Sequence, residues 1–188
     1  MFVYWDSYFI LLGLVPQGEW ELASGIVDNL LYAIEQIGHV PKLHLLQDHV
    51  PLALPIAVPH IRYRRGTALP NHGGWLARAV AAAEREYNEY WCAEPHLTKI
   101  GRSRYVDQAR NGCTSVLDTP HYRALAESGW DNTPRFGPDA AKVVPVDLNA
   151  QLYRFEGTYR SGCSGLSSRI EDSRIARHEQ VPSLYWVD

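Results

Sequence analysis

Cysteine is scarce in this chain. Its 188 residues hold three, Cys92, Cys113 and Cys163, too far apart for a C-x-x-C metal pair and too few for a disulfide framework. Long apolar runs are missing as well: the longest, Tyr8 to Val15, is too short to span a bilayer and is interrupted by Gly13. No basic stretch precedes that run, so it does not read as a secretory leader; the expectation is a cytoplasmic protein with no membrane partner. Positive charge is not in excess either. Lys plus Arg number 18 against 21 Asp plus Glu, a net charge of -3, which excludes a nucleic-acid binder held by bulk charge. The pair Arg64-Arg65 and the cluster from Arg102 to Arg110 lack interleaved aromatics and read as solvated surface. Strict apolar–polar alternation is rare, so a β-rich fold is not expected, and no internal repeat is visible. Four histidines, His39, His44, His49 and His60, fall in one region, but their spacing matches no metal-ligand pair and they read as loop or surface residues.

What the chain does have is core-forming material: 46% of residues are hydrophobic and 11% aromatic, over about one domain's length. The periodicity is helical. Asp6 to Val15 reads as a short buried helix with Asp6 as N-cap. A longer helix from Glu19 to Ile37 lines one face with Leu22, Ile26, Val27, Leu30, Leu31 and Ile34, and Gly38 follows as a stop. Only Pro16-Gln17-Gly18 separates the two, which predicts a helical hairpin. Trp75 to Trp91 is the strongest helix, with Leu76, Val80, Ala83, Tyr87 and Trp91 on one face. Another starts near Asp147, where Leu148, Leu152, Phe155 and Tyr159 recur, and a more polar one is expected over Leu166 to Gln180. Pro51 to Pro59 reads as an extended or kinked apolar segment, since prolines four apart break a helix. Gly101 to Pro138 reads as one long irregular loop, of a length that compact domains keep for function. The fold class expected is therefore all-α, built of helical hairpins with long irregular loops.

Within that loop, Ala126-Glu127-Ser128-Gly129-Trp130-Asp131-Asn132-Thr133-Pro134-Arg135-Phe136 sets two carboxylates around a glycine and an indole. Gly129 allows close backbone approach to a ligand, and Trp130 offers a flat face of the kind that sugar rings stack on. A carboxyl group against an indole loses solvation in its charged form, which raises its pKa and suits it to donate a proton. An Asp capping a helix beside a core Trp would have the same sequence, and the residues alone leave both readings open.

The segment also resembles the A-[AE]-S-G-W-D-x-[ST]-x-R-[WF] motif of trehalases and their (α/α)6-barrel relatives. Tyr4-Trp5-Asp6-Ser7-Tyr8-Phe9, followed by Leu11-Leu12-Gly13-Leu14, is similar to the same family's Y-Y-W-D-S-Y-F-x-x-L-G-L signature. The run from Gly25 to Pro41 is similar to the helix and turn that follow it, and Val144-Pro145-Val146-Asp147-Leu148-Asn149-Ala150 to the family's P-[IV]-D-L-N-[AS] helix start. The matches stand in the family's order. The resemblance implies an inverting glycoside hydrolase that splits trehalose into two glucoses with no metal or organic cofactor. Such enzymes use one carboxylic acid to protonate the leaving oxygen and one carboxylate to activate water, the two standing roughly 6.5–9.5 Å apart. It implies further that Asp131 is the general acid, that Gly129 touches glucose through its backbone, and that Trp5 and Asp6 help form the sugar pocket. The partner is then a small disaccharide or another α-glucoside.

Departures from the family pattern bear on activity. A Gly-Gly-Arg-Phe element with a substrate-binding Arg would precede Tyr4, where the chain has Met1-Phe2-Val3. Lys42 stands where the family has a sugar-binding Asn, and no R-S-Q-P-P or R-x-E element is recognisable. The family's catalytic base is a Glu that would fall beyond Asp188. The expectation is that residues 1–188 form part of an (α/α)6 toroid, truncated at both ends, with the water-activating base missing. Two alternatives stand beside it. One is a related (α/α)6 α-glucosidase or glucosylglycerate hydrolase, which the sequence Asp131-Asn132-Thr133-Pro134-Arg135 resembles. The other is an inactive fragment or weak sugar-binding remnant. An incomplete ring would expose apolar surface and self-associate.

Overall fold

A computed structural model describes residues 4–42, 47–48, 72–106, 119–130 and 133–162. These residues are mainly helical. The first two helices, α1 (Tyr4–Leu14) and α2 (Trp20–Ile37), are joined by a 3-10 turn at Val15–Gln17 and pack as the expected hairpin. α1 starts two residues before the sequence reading placed it. Asp6 therefore sits in the first turn and is not the N-cap.

α2 buries Ala23, Val27, Leu30, Leu31 and Ile34, a stripe with the three-and-four spacing that one helix face requires. Leu22 does not belong to it: it is 59% exposed, because the true stripe is centred one position later, on Ala23. Gly38 ends the helix with φ 89°, in the left-handed region, its N–H donating to Ile34 O at 2.8 Å. Beyond it, β1 (Pro41–Lys42) and β2 (Gln47–Asp48) form a two-residue antiparallel ladder.

The helix α3 (His72–Arg85) crosses α2 and continues as a π-helical segment, Glu86–Trp91. The sequence reading had expected an unbroken α-helix. In its place a wide turn, closed by Cys92 N–H to Tyr87 O at 2.9 Å, lets Glu86, Tyr87, Tyr90 and Trp91 all face inward.

The stretch expected to be one long loop contains a helix, α4 (Pro120–Ser128). Thr119 caps it by accepting from Tyr122 N–H, Pro120 fills its first position, and Gly129 closes it with φ 71°. Short 3-10 turns follow at Pro134–Phe136 and Ala140–Lys142, and then α5 (Val146–Gly162), which begins where the Asp147 pattern placed it.

Two apolar clusters meet at α3. On one side Trp75, Ala79 and Ala82 join Tyr8 and Leu11 of α1 and the buried stripe of α2. On the other, Val80, Ala83, Tyr87 and Trp91 pack with Ala124 and Leu125 of α4 and Leu148, Leu152 and Phe155 of α5. The Pro51–Pro59 segment and the helix expected over Leu166–Gln180 lie outside the described residues.

Candidate active site

The motif around Gly129 leaves α4 as a left-handed turn. Glycine is needed there because an L-residue with a side chain is strained at that φ. Gly129 N–H donates to Ala126 O at 3.3 Å, so the helix cap consumes its donor. Ser128, wholly buried, donates its hydroxyl to Leu125 O at 2.6 Å and accepts from Trp130 N–H at 3.2 Å. The turn is thus braced from within before it reaches Trp130.

Beyond that point a single carboxylate organises the loop. Asp147, in the first turn of α5, accepts from the Trp130 indole N–H at 2.6 Å and from the Tyr105 hydroxyl at 3.4 Å, both on Oδ2. Its other oxygen faces Arg135 Nη2 at 3.5 Å. The Arg135 guanidinium lies 4.5 Å from the centre of the Trp130 ring and 5.2 Å from that of Phe136. Burial pushes the Tyr105 phenol well above its usual range, reinforced by the Asp147 and Glu127 charges, so it remains a neutral donor. Asn149, two residues on, accepts from Ser103 N–H at 3.0 Å and donates to Ser103 O at 2.8 Å. The Asp-Leu-Asn pattern at the start of α5 therefore has a physical content: Asp147 holds one loop and Asn149 the other.

Glu127 does not lie in a long loop, where the sequence reading places it, but in a helix. It is buried at the end of α4, where Oε1 accepts from the Tyr90 hydroxyl at 2.7 Å and lies 2.7 Å from His96 Nε2. Oε2 accepts from Val106 N–H. This hub ties α4 to the π segment and to the 96–106 connection. No short-range pattern signalled it, since its partners stand 21 to 37 residues away.

Of the residues singled out in the sequence, Asp6 is exposed on the first turn of α1, and Trp5 precedes it there. α1 meets α5 where the Arg154 guanidinium sits 5.4 Å from the centre of the Tyr8 ring. Asp131 lies outside the described residues, between Trp130 and Thr133 of the braced loop, and Lys42 is in β1. His39 packs its ring 4.5 Å from that of Tyr90; His44, His49 and His60 lie outside the described residues.

Comparison with known proteins agrees with the motifs. The sequence model of the family described as Trehalase matches residues 2–119. The periplasmic trehalase of Xanthomonas campestris pv. campestris (strain 8004) is 30% identical over 221 aligned residues, covering 94% of this chain and 37% of that protein. The periplasmic trehalase of Pseudomonas aeruginosa is 27% identical, covering 98% of this chain and 42% of its own length. The cytosolic neutral trehalase of Saccharomyces cerevisiae is 26% identical, covering 81% and 26%. The chain thus spans well under half the length of these relatives, whose names include both a periplasmic and a cytosolic protein. Among the described residues no helix is long and apolar enough to cross a membrane. By the extent of the family match and the coverage of these relatives, the chain belongs to the trehalase family.

Proposed function

We propose that residues 1–188 are part of an (α/α)6 glycosidase that hydrolyses trehalose to two glucoses with inversion, Asp131 donating the proton to the leaving oxygen. The observation that carries the reading is the clasp between the two motifs: Trp130 and Arg135, on either side of Asp131, both engage Asp147 of α5. A general acid works only when it is held within reach of the oxygen that it protonates, and this loop is built to be held. Trp5 and Asp6 would line the glucose pocket. Gly129, its N–H already spent on the helix cap, would offer its carbonyl oxygen to a sugar hydroxyl. The carboxylate that activates water would come from outside these residues, so the chain by itself would lack the second half of the chemistry.

The experiment joins this chain to the part of the Xanthomonas relative that it does not cover and measures glucose release from trehalose. Asp131→Asn is expected to lower kcat by about 10²–10⁴-fold, the usual contribution of a general acid. Undiminished turnover in that variant would remove Asp131 from the role. Turnover of glucosylglycerate in preference to trehalose would move the substrate to the neighbouring (α/α)6 glucosidases, which the run from Asp131 to Arg135 also resembles.

A further inference from the structure

We propose that Asp147 is the positioning residue of this site: one carboxylate on a rigid helix holds the chain on both sides of Asp131, Trp130 through its indole N–H and Arg135 through its guanidinium. The catalytic meaning of this clamp rests on Asp131 being the acid; the clamp itself consists of described residues.

Four features suit Asp147 to the task. It stands in the first turn of α5, where free backbone N–H groups favour a negative charge. Leu148, Leu152 and Phe155, each almost wholly buried, fix that helix in the core, so the anchor does not travel with the loop. The indole N–H to carboxylate contact of 2.6 Å is charge-assisted, and Tyr105 steadies the same oxygen. On the far side Thr133 accepts from Arg135 N–H at 3.3 Å and Phe136 is buried, which sets the direction in which Arg135 leaves the turn. Asp131 follows Trp130 directly and precedes Arg135 by four positions, so both its neighbours in the loop report to one carboxylate. A misplacement of about 1 Å can lower a rate by roughly 10²-fold, which is why such an anchor matters to an acid on a loop.

The 188-residue chain allows a test that needs no turnover. Trp indoles are labelled with ¹⁵N and Asp carboxyls with ¹³C, with Trp130→Phe and Asp131→Asn assigning the two signals. In the unmodified chain the Trp130 indole proton should exchange slowly. Asp147→Asn should speed that exchange at least about tenfold, equivalent to about 1.4 kcal/mol of lost protection. The same variant should shift the Asp131 titration downward, since a negative charge is removed and Arg135 is released. Arg135→Gln should shift it upward, since Asp147 is then left unneutralised. Asp147→Glu should restore much of the Asp147→Asn loss. Opposite shifts are expected where Asp131 is held within reach of both charges; a merely structural Asp147, remote from Asp131, would loosen the loop and leave that titration unmoved. Equal shifts, no shift, or Trp130 protection that survives Asp147→Asn would each overturn the proposal. If Asp147→Asn unfolds the chain, the partly exposed Arg135→Gln still decides, because an Asp131 titration that fails to rise in it is equally fatal. Glucose release by Asp131→Asn in the joined enzyme tests the acid assignment separately, so a failed clamp and a failed acid give different results.

Discussion

Glu156 of α5 is a carboxylic acid with almost no water around it. Its Oε1 lies 2.5 Å from the Tyr87 hydroxyl, and Tyr87 itself stacks on Phe155 at 4.8 Å between ring centres. Burial raises its pKa from the ordinary 4.5 to about 7, with Arg102 opposing the shift. The folded chain therefore holds this proton more tightly than the unfolded one does. Stability is unaffected below about pH 4.5, falls as pH rises toward about 7, and levels off above that; the full span is on the order of 3 kcal/mol. Glu156→Gln, which keeps the acceptor and removes the proton, should flatten the profile and raise the denaturation midpoint at pH 8 relative to the parent chain. Urea titrations at pH 5 and pH 8 check this, and an unchanged difference between the two would refute it. The local pattern around Glu156 carries no hint of the role. It follows Phe155 in a run that reads as an amphipathic helix, and its dry environment comes from tertiary neighbours such as Tyr87, 69 positions earlier. Glu127 teaches the same point in reverse: it looked like a loop carboxylate, and helix α4 turned it into the core.

At the scale of elements, the C-terminus of α2 shows how two helices are fastened. Arg85, the last residue of α3, donates from Nη1 to Ile34 O at 3.1 Å, which also accepts from Gly38 N–H, and to Glu35 O at 2.8 Å, both carbonyls of the last turn of α2. Its Nε donates to Glu89 at 3.1 Å. Gly38 lies beside this guanidinium, and a Cβ there would meet Arg85 Nη2 at 3.6 Å, an ordinary contact. The obstacle to a side chain at Gly38 is therefore the backbone and not space. Gly38→Ala should destabilise by about 1–2 kcal/mol through its positive φ, and Gly38→Asn by less. Equal melting temperatures for Gly38→Ala and the parent would contradict this. Helix placement was largely legible in the sequence, because three-and-four spacing is a property of the chain itself. The π segment was not. No spacing within the segment distinguishes it from the α-helix that precedes it. Helix α4 was missed because Gly, Pro, Ser and Thr crowd its surroundings, and these residues serve as caps there.

For the whole molecule, α1 poses the main question. Tyr8 and Leu11 face α2, yet on the other side Phe9 is 55%, Ile10 51% and Leu12 47% exposed. A helix apolar all round is normally buried all round. The chain spans 37% of the Xanthomonas relative's length, and it is expected to cover this face by self-association in isolation. Sedimentation velocity should show a concentration-dependent rise in mass, diminished in a Phe9→Ser, Ile10→Ser double variant. A monomer over a wide concentration range would count against it.

What the amino-acid sequence determined by itself is the helical character, the α1–α2 hairpin, the start of α5 and, through the order of its motifs, the family. Each of these is written within a short window, where spacing and capping residues act on their own neighbours. What only the tertiary structure decided is which motif holds which: that Asp147 serves Trp130 and Arg135, that Asn149 serves Ser103, and that Glu127 and Glu156 are buried. Those pairings join residues up to 69 positions apart. They exist only once hydrophobic burial has brought the helices together and has left each dry polar group to find a partner.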